Sequence, residues 1–486
     1  MMRRAKILAT LGPVSNTEPA IRALVEAGAD AFRLNFSHGT HEEHARIITI
    51  VRDLARTTSR FIPIVADIQG PKIRIGEMAA PVVLEPGSEI VFTTEPILGT
   101  ATSIPTRFDD LPREVRPGDR ILINDGLVET VVLAIESETR VRCRVVHGGV
   151  VESKKGMNFP DTDLRIPAIT EKDRADLAFA VEHQVDYVAA SFIRRRDDVV
   201  EIRSLLRELG GAEIDLIAKI EKAHAVEALE SILEVSDGVM VARGDLGVEL
   251  APEAVPIAQK RILDWASQRG RLAITATQML ESMTKNSRPT RAEASDVANA
   301  IFDGSDVAML SAETASGSYP VESVRMMARI ITAAESHPEL AVQQGRDPFH
   351  QSYETDDFTD SLAGAARYAA DQIDAKYVVV FTQSGFTARL MSKFRPRSPV
   401  IALTHSSWVA RRMNLLWGVT PYVLKDVGDY HEQIVERVER FLVEQTLVEK
   451  GDRIVILMGS PLYERARTNL LRVHRVGERT PELPGL

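Results

Sequence analysis

IDLIAKIEKAHAVEALESILEVSDGVMVA, residues 214–242, decides the fold. Its ends are short apolar, β-branched runs, IDLIAKI (214–220) and DGVMVA (237–242), and a helical pattern over 222–234 lies between them. Strand, helix and strand in so short a span make a βαβ unit, whose strands lie parallel in one sheet. The alternation repeats in both directions. Strands are expected at 5–10 (AKILAT), 30–36 (DAFRLNF), 61–67 (FIPIVAD), 185–192 (VDYVAASF), 271–276 (RLAITA) and 305–310 (SDVAML), with further helical patterns at 170–183 and 321–336. Eight such units predict a closed (β/α)₈ (TIM) barrel.

The alternation breaks once. From 72 to 166 the pattern is short strands separated by Pro and Gly turns: PVVLEPGSEIVF (81–92), PGDRILINDGLVETVVLAI (117–135) and TRVRCRVVHGG (139–149). This reads as a small all-β domain inserted in a βα loop. It leaves the barrel at the C-terminal rim, where it can serve as a lid. Residues 338–360, with Pro338, Gly345 and Pro348, read as a linker. Beyond it, strands near 377–382, 399–403, 419–424 and 453–458 predict a separate α/β domain. The expected organisation is barrel (1–71), lid (72–166), barrel continued (167–340) and C-terminal α/β domain (341–486).

The bulk properties narrow the function class. The 486 residues are 44% hydrophobic and 26% charged, with net charge −10. No basic block of useful length appears, which argues against nucleic acid. No apolar run approaches the roughly 20 residues that span a bilayer. The first residues lack a signal-peptide apolar core, and the single Cys143 excludes an internal disulfide, so a cytoplasmic location is expected.

A (β/α)₈ barrel carries its active site at the C-terminal strand ends. Polar residues gather there: Arg33, Asn35, Ser37 and His38; Asp67, then Lys72 and Arg74; Ser191; Lys219 and Glu221; Arg243, Gly244 and Asp245; Thr275 and Thr277; Ser311 and Glu313. The carboxylates suit a hard cation such as Mg²⁺, which keeps waters and takes substrate oxygens. The surrounding cations suit phosphoryl oxygens. Metal, cations and anion together equip a site for phosphoryl transfer, which is mostly positioning and charge neutralisation.

At these residues the chain resembles the pyruvate kinase family. The matching stretches include AKILATLGPVS (5–15), FRLNFSHGTHEEH (32–44), DIQGPKIRIG (67–76), KKGMNFP (154–160), AKIEK (218–222), DGVMVARGDLGVEL (237–250), TATQMLESM (275–283), DGSDVAMLSAETASGSYP (303–320) and TQSGFTARLMSKFRP (382–396). They run in order along the whole chain. The resemblance implies glycolytic transfer of a phosphoryl group from phosphoenolpyruvate to ADP, giving ATP and pyruvate, commonly by a homotetramer.

The resemblance also implies residue roles. Glu221 and Asp245 match the Mg²⁺ (or Mn²⁺) ligands; the plainer reading of Glu221 is an ion pair with Lys219 or Lys222. Lys219 matches the catalytic lysine that meets the phosphoryl group as it leaves the enol oxygen. A Schiff base is the other chemistry open to a barrel lysine, and the surrounding charges argue against it. Arg33 is expected on the transferring phosphoryl group, with Ser191 and Asp245 also near substrate and Gly244 leaving room for backbone N–H groups to reach its carboxylate. Thr277 matches the threonine at the enolate face; its hydroxyl is too weak an acid alone and is expected to order a water or relay. Pro13, Asn35, His38, Arg74 and Lys155 are expected along the nucleotide, Lys155 by lid closure; His38 is equally readable as a hydrogen-bonded loop histidine.

Three departures from the family pattern bear on regulation and ions. The K⁺ ligands of many members match Asn35, Ser37, Asp67 and the carbonyl of Ile68. Here Ile68-Gln69 replaces the usual Thr-Lys, and Lys72 stands where K⁺-dependent members resemble a glutamate. An ammonium there can supply the charge of K⁺, so K⁺ is expected not to be required. Asp161 replaces a glycine of the lid hinge, with no assigned effect. In the C-terminal domain Thr382, Ser384, Gly385 and Thr387 form a TxSGxT turn before a helix, a place for an effector phosphate. Residues 459–466 (GSPLYERA) lack the Gly-rich loop that goes with a bisphosphate activator. A sugar monophosphate or nucleoside monophosphate is therefore the expected effector. A Mg²⁺-dependent aldolase working through a pyruvate enolate needs neither the lid with Lys155 nor an effector domain. A metabolite-sensing paralogue should have lost one of Lys219, Glu221, Asp245 or Thr277, and all four are present.

Overall fold

The structure is a computed structural model that describes residues 3–337, 357–425, 431–459 and 468–478. Eight parallel strands close a barrel: β1 (Lys6–Leu11), β2 (Ala31–Asn35), β3 (Ile64–Ile68), β4 (Tyr187–Ala190), β5 (Asp215–Ile220), β6 (Gly238–Ala242), β7 (Leu272–Ala276) and β8 (Val307–Leu310). Each overlaps its expected span with ends displaced by at most three residues, the largest shift being the start of β3 at Ile64. The helical stretch 222–234 is two short helices, Ala223–Glu227 and Leu229–Val235.

Side chains alternate across each strand, so parity sorts them into two layers. Leu8, Val65, Ala189, Ile217, Met240 and Ile274 fill the barrel interior in one apolar cluster. Their neighbours Ile7, Ala66, Val188, Ala218, Val241 and Ala273 pack outward in the cluster that includes the surrounding helices. Two residues on from an interior position the parity is kept, so Arg33, Asp67, Ser191 and Lys219 share the interior face at the C-terminal rim. Thr275 has the opposite parity, and Arg243 starts the helix that follows β6. Arg243 Nη1 donates to Asp296 (2.7 Å) and its Nη2 to the carbonyl of Thr277 (2.7 Å), while the Thr275 hydroxyl pairs with that of Ser305 (2.6 Å). Both side chains turn away from the rim, Arg243 to the helix that carries Asp296 and Thr275 to the turn before β8, correcting their place among the rim candidates.

The N-terminal rim is an acidic ring. Asp30, Asp186, Asp237 and Asp306 directly precede strands, and each accepts a backbone N–H from the adjoining strand: Ile7 (2.7 Å), Ile64 (2.9 Å), Leu216 (2.9 Å) and Ala273 (2.8 Å) respectively. A charge-assisted bond of this kind contributes about 1.5–3 kcal/mol and satisfies a donor the ladder leaves open. Cations then cover the ring. Arg411 binds Asp186 (2.7 Å), Arg412 binds Asp215 (2.8 Å), and Lys393 and Arg395 bind Asp306, the last at 2.8 Å. These four cations belong to the C-terminal domain, which closes the barrel floor and shares its interior cluster through Leu390, Met413 and Leu416.

Between β3 and β4 lies the separate sheet domain. Its six-stranded sheet is built from Glu89–Thr93, Ser103–Pro105, Arg120–Ile123, Val128–Ser137, Arg140–His147 and Met157–Asn158, beside a pair formed by Val82–Leu84 and Gly149–Val151. It has its own core, including Ile90, Phe92, Ile121, Val141 and Phe159. Cys143 sits inside it, and burial pushes its thiol up to about 12. The C-terminal sheet runs Val419–Val423, Val400–Thr404, Tyr377–Phe381, Arg453–Gly459 and Thr468–Arg475; the first four are parallel and the last is antiparallel. That last strand was not expected from the sequence. Of the expected linker 338–360, residues 338–356 lie outside the described residues and 357–360 already belong to the helix Asp357–Gln372. Residues 460–466 of GSPLYERA also lie outside them.

Candidate active site

Lys219 ends β5 at the centre of the rim, buried among three acceptors. Its Nζ lies 2.6 Å from Ser191 Oγ, 2.9 Å from Glu221 Oε1 and 3.1 Å from Asp67 Oδ1. Burial alone would depress this ammonium, but Asp67 and Glu221 outweigh it and hold its pKa up at about 12. The lysine stays charged, which disfavours Schiff-base chemistry. Asp67 also takes Arg33 Nε at 2.6 Å. Burial opposes its ionisation, yet Arg33 and Lys219 hold it below the usual carboxylate range. Two cations are thus aligned on one carboxylate across three strands.

The carboxylate pair lies alongside. Glu221 accepts the N–H of Phe192 (2.7 Å), a residue in the left-handed region at φ 57°. Burial and the charge of Asp245 push its pKa up, against Lys219. Asp245 lies in the helix Arg243–Glu249 with Lys72 Nζ at 3.7 Å. Among the described residues no group of three or more His, Cys, Asp or Glu gathers for a metal. The donor set nevertheless fits Mg²⁺. Two hard carboxylates that repel each other are each paired with a lysine, and Mg²⁺ is commonly held by one or two carboxylates.

Thr277 follows β7 at φ 67°, an unusual conformation for a β-branched residue. Its hydroxyl accepts the N–H of Gly244 (2.7 Å) and donates to the carbonyl of Ala276 (2.6 Å). The expected use of Gly244 is therefore corrected in one respect: its own N–H is occupied by Thr277. A Cβ at Gly244 would meet Thr277 only at 3.6 Å, so glycine here keeps space open rather than relieving a clash.

The nucleotide-side residues are spread wider. Pro13 is exposed on the turn after β1. Asn35 Oδ1 accepts the N–H of Ser37 (3.1 Å), so these two residues shape one loop. The carbonyl of His38 accepts from His44 (3.0 Å), while Lys172 Nζ binds the carbonyl of Phe36 (2.6 Å). Arg74 reaches the carbonyl of Lys154 (3.1 Å), and Lys155, in the lid, pairs with Glu152 at 3.2 Å. Lys155 is bound to its own domain rather than to the barrel rim. Ile68 contributes its carbonyl to Ser191 Oγ (2.8 Å). Lys72 pairs with Asp245; it is not paired with Asp67.

Two important residues, Asp173 and Glu249, escaped the sequence reading, and a third, Asp161, gains a role in the structure. Asp173 is fully buried, and its carboxylate accepts the N–H of Gly70 (2.9 Å) on one lid crossing and the N–H of Thr170 (2.9 Å) on the other. A single side chain pins both connections of the lid. Its only sequence signal is a capping box, Thr170-x-x-Asp173, which accounts for half of the contacts. Glu249 binds both Lys222 and Asn158 (2.8 Å), linking barrel to lid. Asp161 takes a two-pronged bond from Arg120, at 2.9 Å from Nε and 2.8 Å from Nη2, and so fastens the return crossing.

In the C-terminal domain the TxSGxT turn is self-bonded. Gly385, at φ 89°, donates to Thr382 Oγ1 (3.0 Å), Phe386 N–H reaches Ser384 Oγ (3.4 Å), and Thr387 pairs with Thr468 (2.6 Å).

A parallel barrel whose rim holds a protonated lysine, an arginine and two carboxylates, joined to an inserted lid, is the equipment of a phosphotransferase. Residues 2–324 match the family model "Pyruvate kinase, barrel domain", and residues 360–474 match "Pyruvate kinase, alpha/beta domain". A pyruvate kinase of Clostridium acetobutylicum is 43% identical over 481 residues, covering 98% of this chain and 100% of that protein. One from Geobacillus stearothermophilus is 42% identical over 483 residues, covering 98% of this chain and 81% of that protein. The crystal structure of a pyruvate kinase from Cryptosporidium parvum superposes with a TM-score of 0.89 at 34% identity, over 98% of this chain and 96% of that one. The chain belongs to the pyruvate kinase family, and its reaction uses phosphoenolpyruvate, ADP and pyruvate. No helix among the described residues is long and apolar enough to cross a membrane.

Proposed function

We propose that this chain is a K⁺-independent pyruvate kinase under effector control, working in glycolysis as a cytoplasmic homotetramer, with its lid near 72–166 and its C-terminal domain from about 341. The observation that carries the catalytic part is Lys219, held charged between Asp67, Glu221 and Ser191 and aligned with Arg33. Arg33 and Lys219 bind the phosphoryl oxygens and neutralise charge as the bond to the enol oxygen breaks. Glu221 and Asp245 would hold Mg²⁺ or Mn²⁺, which would supply a Lewis acid for substrate oxygens. Ser191 orients Lys219. Arg74 meets phosphate from the lid side, Lys155 reaches the nucleotide when the lid closes, and the loop Pro13, Asn35 and His38 lines its edge. The direct test is ADP-dependent pyruvate formation by the purified chain.

Thr277 orders the proton source for the enolate, and its bond to Gly244 fixes the backbone beneath the substrate carboxylate. Thr277→Ala is expected to slow exchange of pyruvate methyl protons with solvent by about a hundredfold, with phosphoryl transfer less affected. Exchange that survives while ATP formation collapses would mean the role is misassigned.

The K⁺ reading rests on Lys72. Its ammonium stands 3.7 Å from Asp245, on the segment that runs on from Asp67, so a monovalent cation nearby meets a like charge. Activity in a K⁺-free, Na⁺-free buffer with a bulky organic counter-ion is expected to match activity with KCl. Strong stimulation by KCl beyond an ionic-strength effect would sink this reading. Lys72→Glu is expected to lose roughly tenfold or more in kcat/KM there, since reversed charge beside Asp245 is worth kilocalories at intermediate dielectric. Added K⁺ should restore part of it.

Effector control is assigned to Thr382, Ser384, Gly385 and Thr387, with a sugar monophosphate or nucleoside monophosphate as ligand. The hydroxyls and N–H groups that now bond one another are those a phosphate would take at the start of the helix Phe386–Lys393.

A further inference from the structure

We infer that Glu249 and Asn158 are positioning residues for the nucleotide: with Asp245 and Lys72 they seat the lid on the helix Arg243–Glu249 and so aim Arg74 and Lys155, which rests on the reading of those two residues as nucleotide contacts.

The two crossings of the lid pair as a narrow antiparallel ribbon. The N–H of Met157 donates to the carbonyl of Ile73 (2.9 Å), the N–H of Ile75 donates to the carbonyl of Lys155 (3.0 Å), and Arg74 bridges Gly156 between them. This register sets Lys72 opposite Asn158 at one end of the ribbon. Arg74 and Lys155 lie a few residues further along it. The Lys72 side chain lies against the ribbon, since a Cβ added at Gly156 would stand only 3.3 Å from its Cε.

Both end residues bond to one short helix. Asp245 and Glu249 are four residues apart on Arg243–Glu249 and share a face. Lys72 Nζ stands 3.7 Å from Asp245 Oδ1, and Asn158 Nδ2 donates to Glu249 Oε1 at 2.8 Å. Asn158 and Glu249 are buried, whereas Lys72 and Asp245 are half-buried, so the second contact is the drier one. Lys222 bonds the same oxygen of Glu249. The carboxylate is thus neutralised from within the barrel, and the lid brings it only a neutral amide. Lys222 directly follows Glu221, so Glu249 ties the ribbon to the chain beside both Glu221 and Asp245.

Asp173 fixes where the chain leaves and re-enters the barrel, at Gly70 and Thr170. Bonds at those points do not set the direction of the ribbon beyond them, but two bonded points one helical turn apart do. Side chains held in place before a ligand arrives lower the ordering cost of binding. Phosphoenolpyruvate is assigned to Arg33 and Lys219 on the barrel strands, so its binding is expected to be largely independent of this seat.

The test is a loss selective for the nucleotide. ADP with Mg²⁺ is titrated calorimetrically into the full-length protein, and KM is measured for both substrates. Asn158→Ala removes the lid's bond without stranding a charge, because Lys222 still pairs with Glu249. Loss of one charge-assisted hydrogen bond is expected to weaken ADP binding about tenfold and raise KM for ADP to match, while KM for phosphoenolpyruvate stays within about twofold. Glu249→Leu should do at least as much. Glu249→Gln keeps an oxygen for the Asn158 amide and should recover most of the loss. Hydrogen exchange at 72–75 and 155–158 should quicken in Asn158→Ala, with the barrel strands unchanged. Unchanged ADP affinity in folded Asn158→Ala overturns the seat, and so does equal weakening of ADP and phosphoenolpyruvate, the mark of a merely structural role. Weakening by Lys155→Met but not by Asn158→Ala overturns the seat and keeps the nucleotide assignment. No effect of Lys155→Met and Arg74→Met overturns that assignment, and the purpose of the seat with it.

Discussion

Lys219→Met is expected to lower turnover by two to three orders of magnitude or more while the barrel stays folded. One preorganised charge aimed at a developing anion contributes about 3–4 kcal/mol to the transition state. Here the charge is secure: Asp67 and Glu221 keep the ammonium protonated, and Ser191 fixes its direction. The substitution leaves Asp67 paired with Arg33 and Glu221 bonded to the N–H of Phe192, so neither carboxylate is stranded. The measurement is kcat per folded molecule, with circular dichroism to confirm the fold and a divalent-ion titration to confirm that Glu221 still binds. Near-normal turnover in a folded variant would remove Lys219 from the reaction.

The second large effect lies at the other end of the barrel. Lys393 is fully buried and bonded to Asp306, which also takes Arg395 at 2.8 Å and the N–H of Ala273. Breaking a buried pair typically costs about 3–5 kcal/mol, because the remaining charge loses its compensation. Arg395 retains part of that compensation, so Lys393→Met is expected near the lower end, read as a fall in denaturant midpoint for the barrel and C-terminal domain together. The pH dependence has a definite sign. Burial pushes Lys393 down to about 8, below its ordinary value. Between that pH and the ordinary lysine range the unfolded chain binds the proton and the native one does not, so this residue's contribution to stability rises with pH. Below about pH 8 both forms are protonated and the burial penalty is complete. Wild type minus Lys393→Met should therefore gain stability from pH 8 upward; a flat difference curve would mean the ammonium is not titrating there.

The sequence by itself determined the strands, their order and the identity of the rim. Apolar runs at short spacing with helical stretches between them have few ways to bury their surface, and a parallel barrel is one. Once the strands were placed, polar residues at their C-terminal ends named Arg33, Asp67, Lys219, Glu221 and Asp245 without any coordinates. Strand parity, also local, would have excluded Thr275, which is one residue from the interior Ile274. What only the tertiary structure decided are pairings between distant segments. Asp173 reaches Gly70 across 103 residues and pins both lid crossings. Asp161 reaches Arg120 across 41 residues, which gives a role to a change that had none. Lys72 chooses Asp245 over Asp67. The aspartates before β2, β4, β6 and β8 look like ordinary strand starts until a neighbouring strand supplies its N–H and, at Asp186 and Asp306, the C-terminal domain its cations. Hydrophobic periodicity is written within a few residues and survives in one dimension. The partner of a buried charge is chosen by which other chain segment packing brings within about 3 Å, a distance that no local pattern encodes.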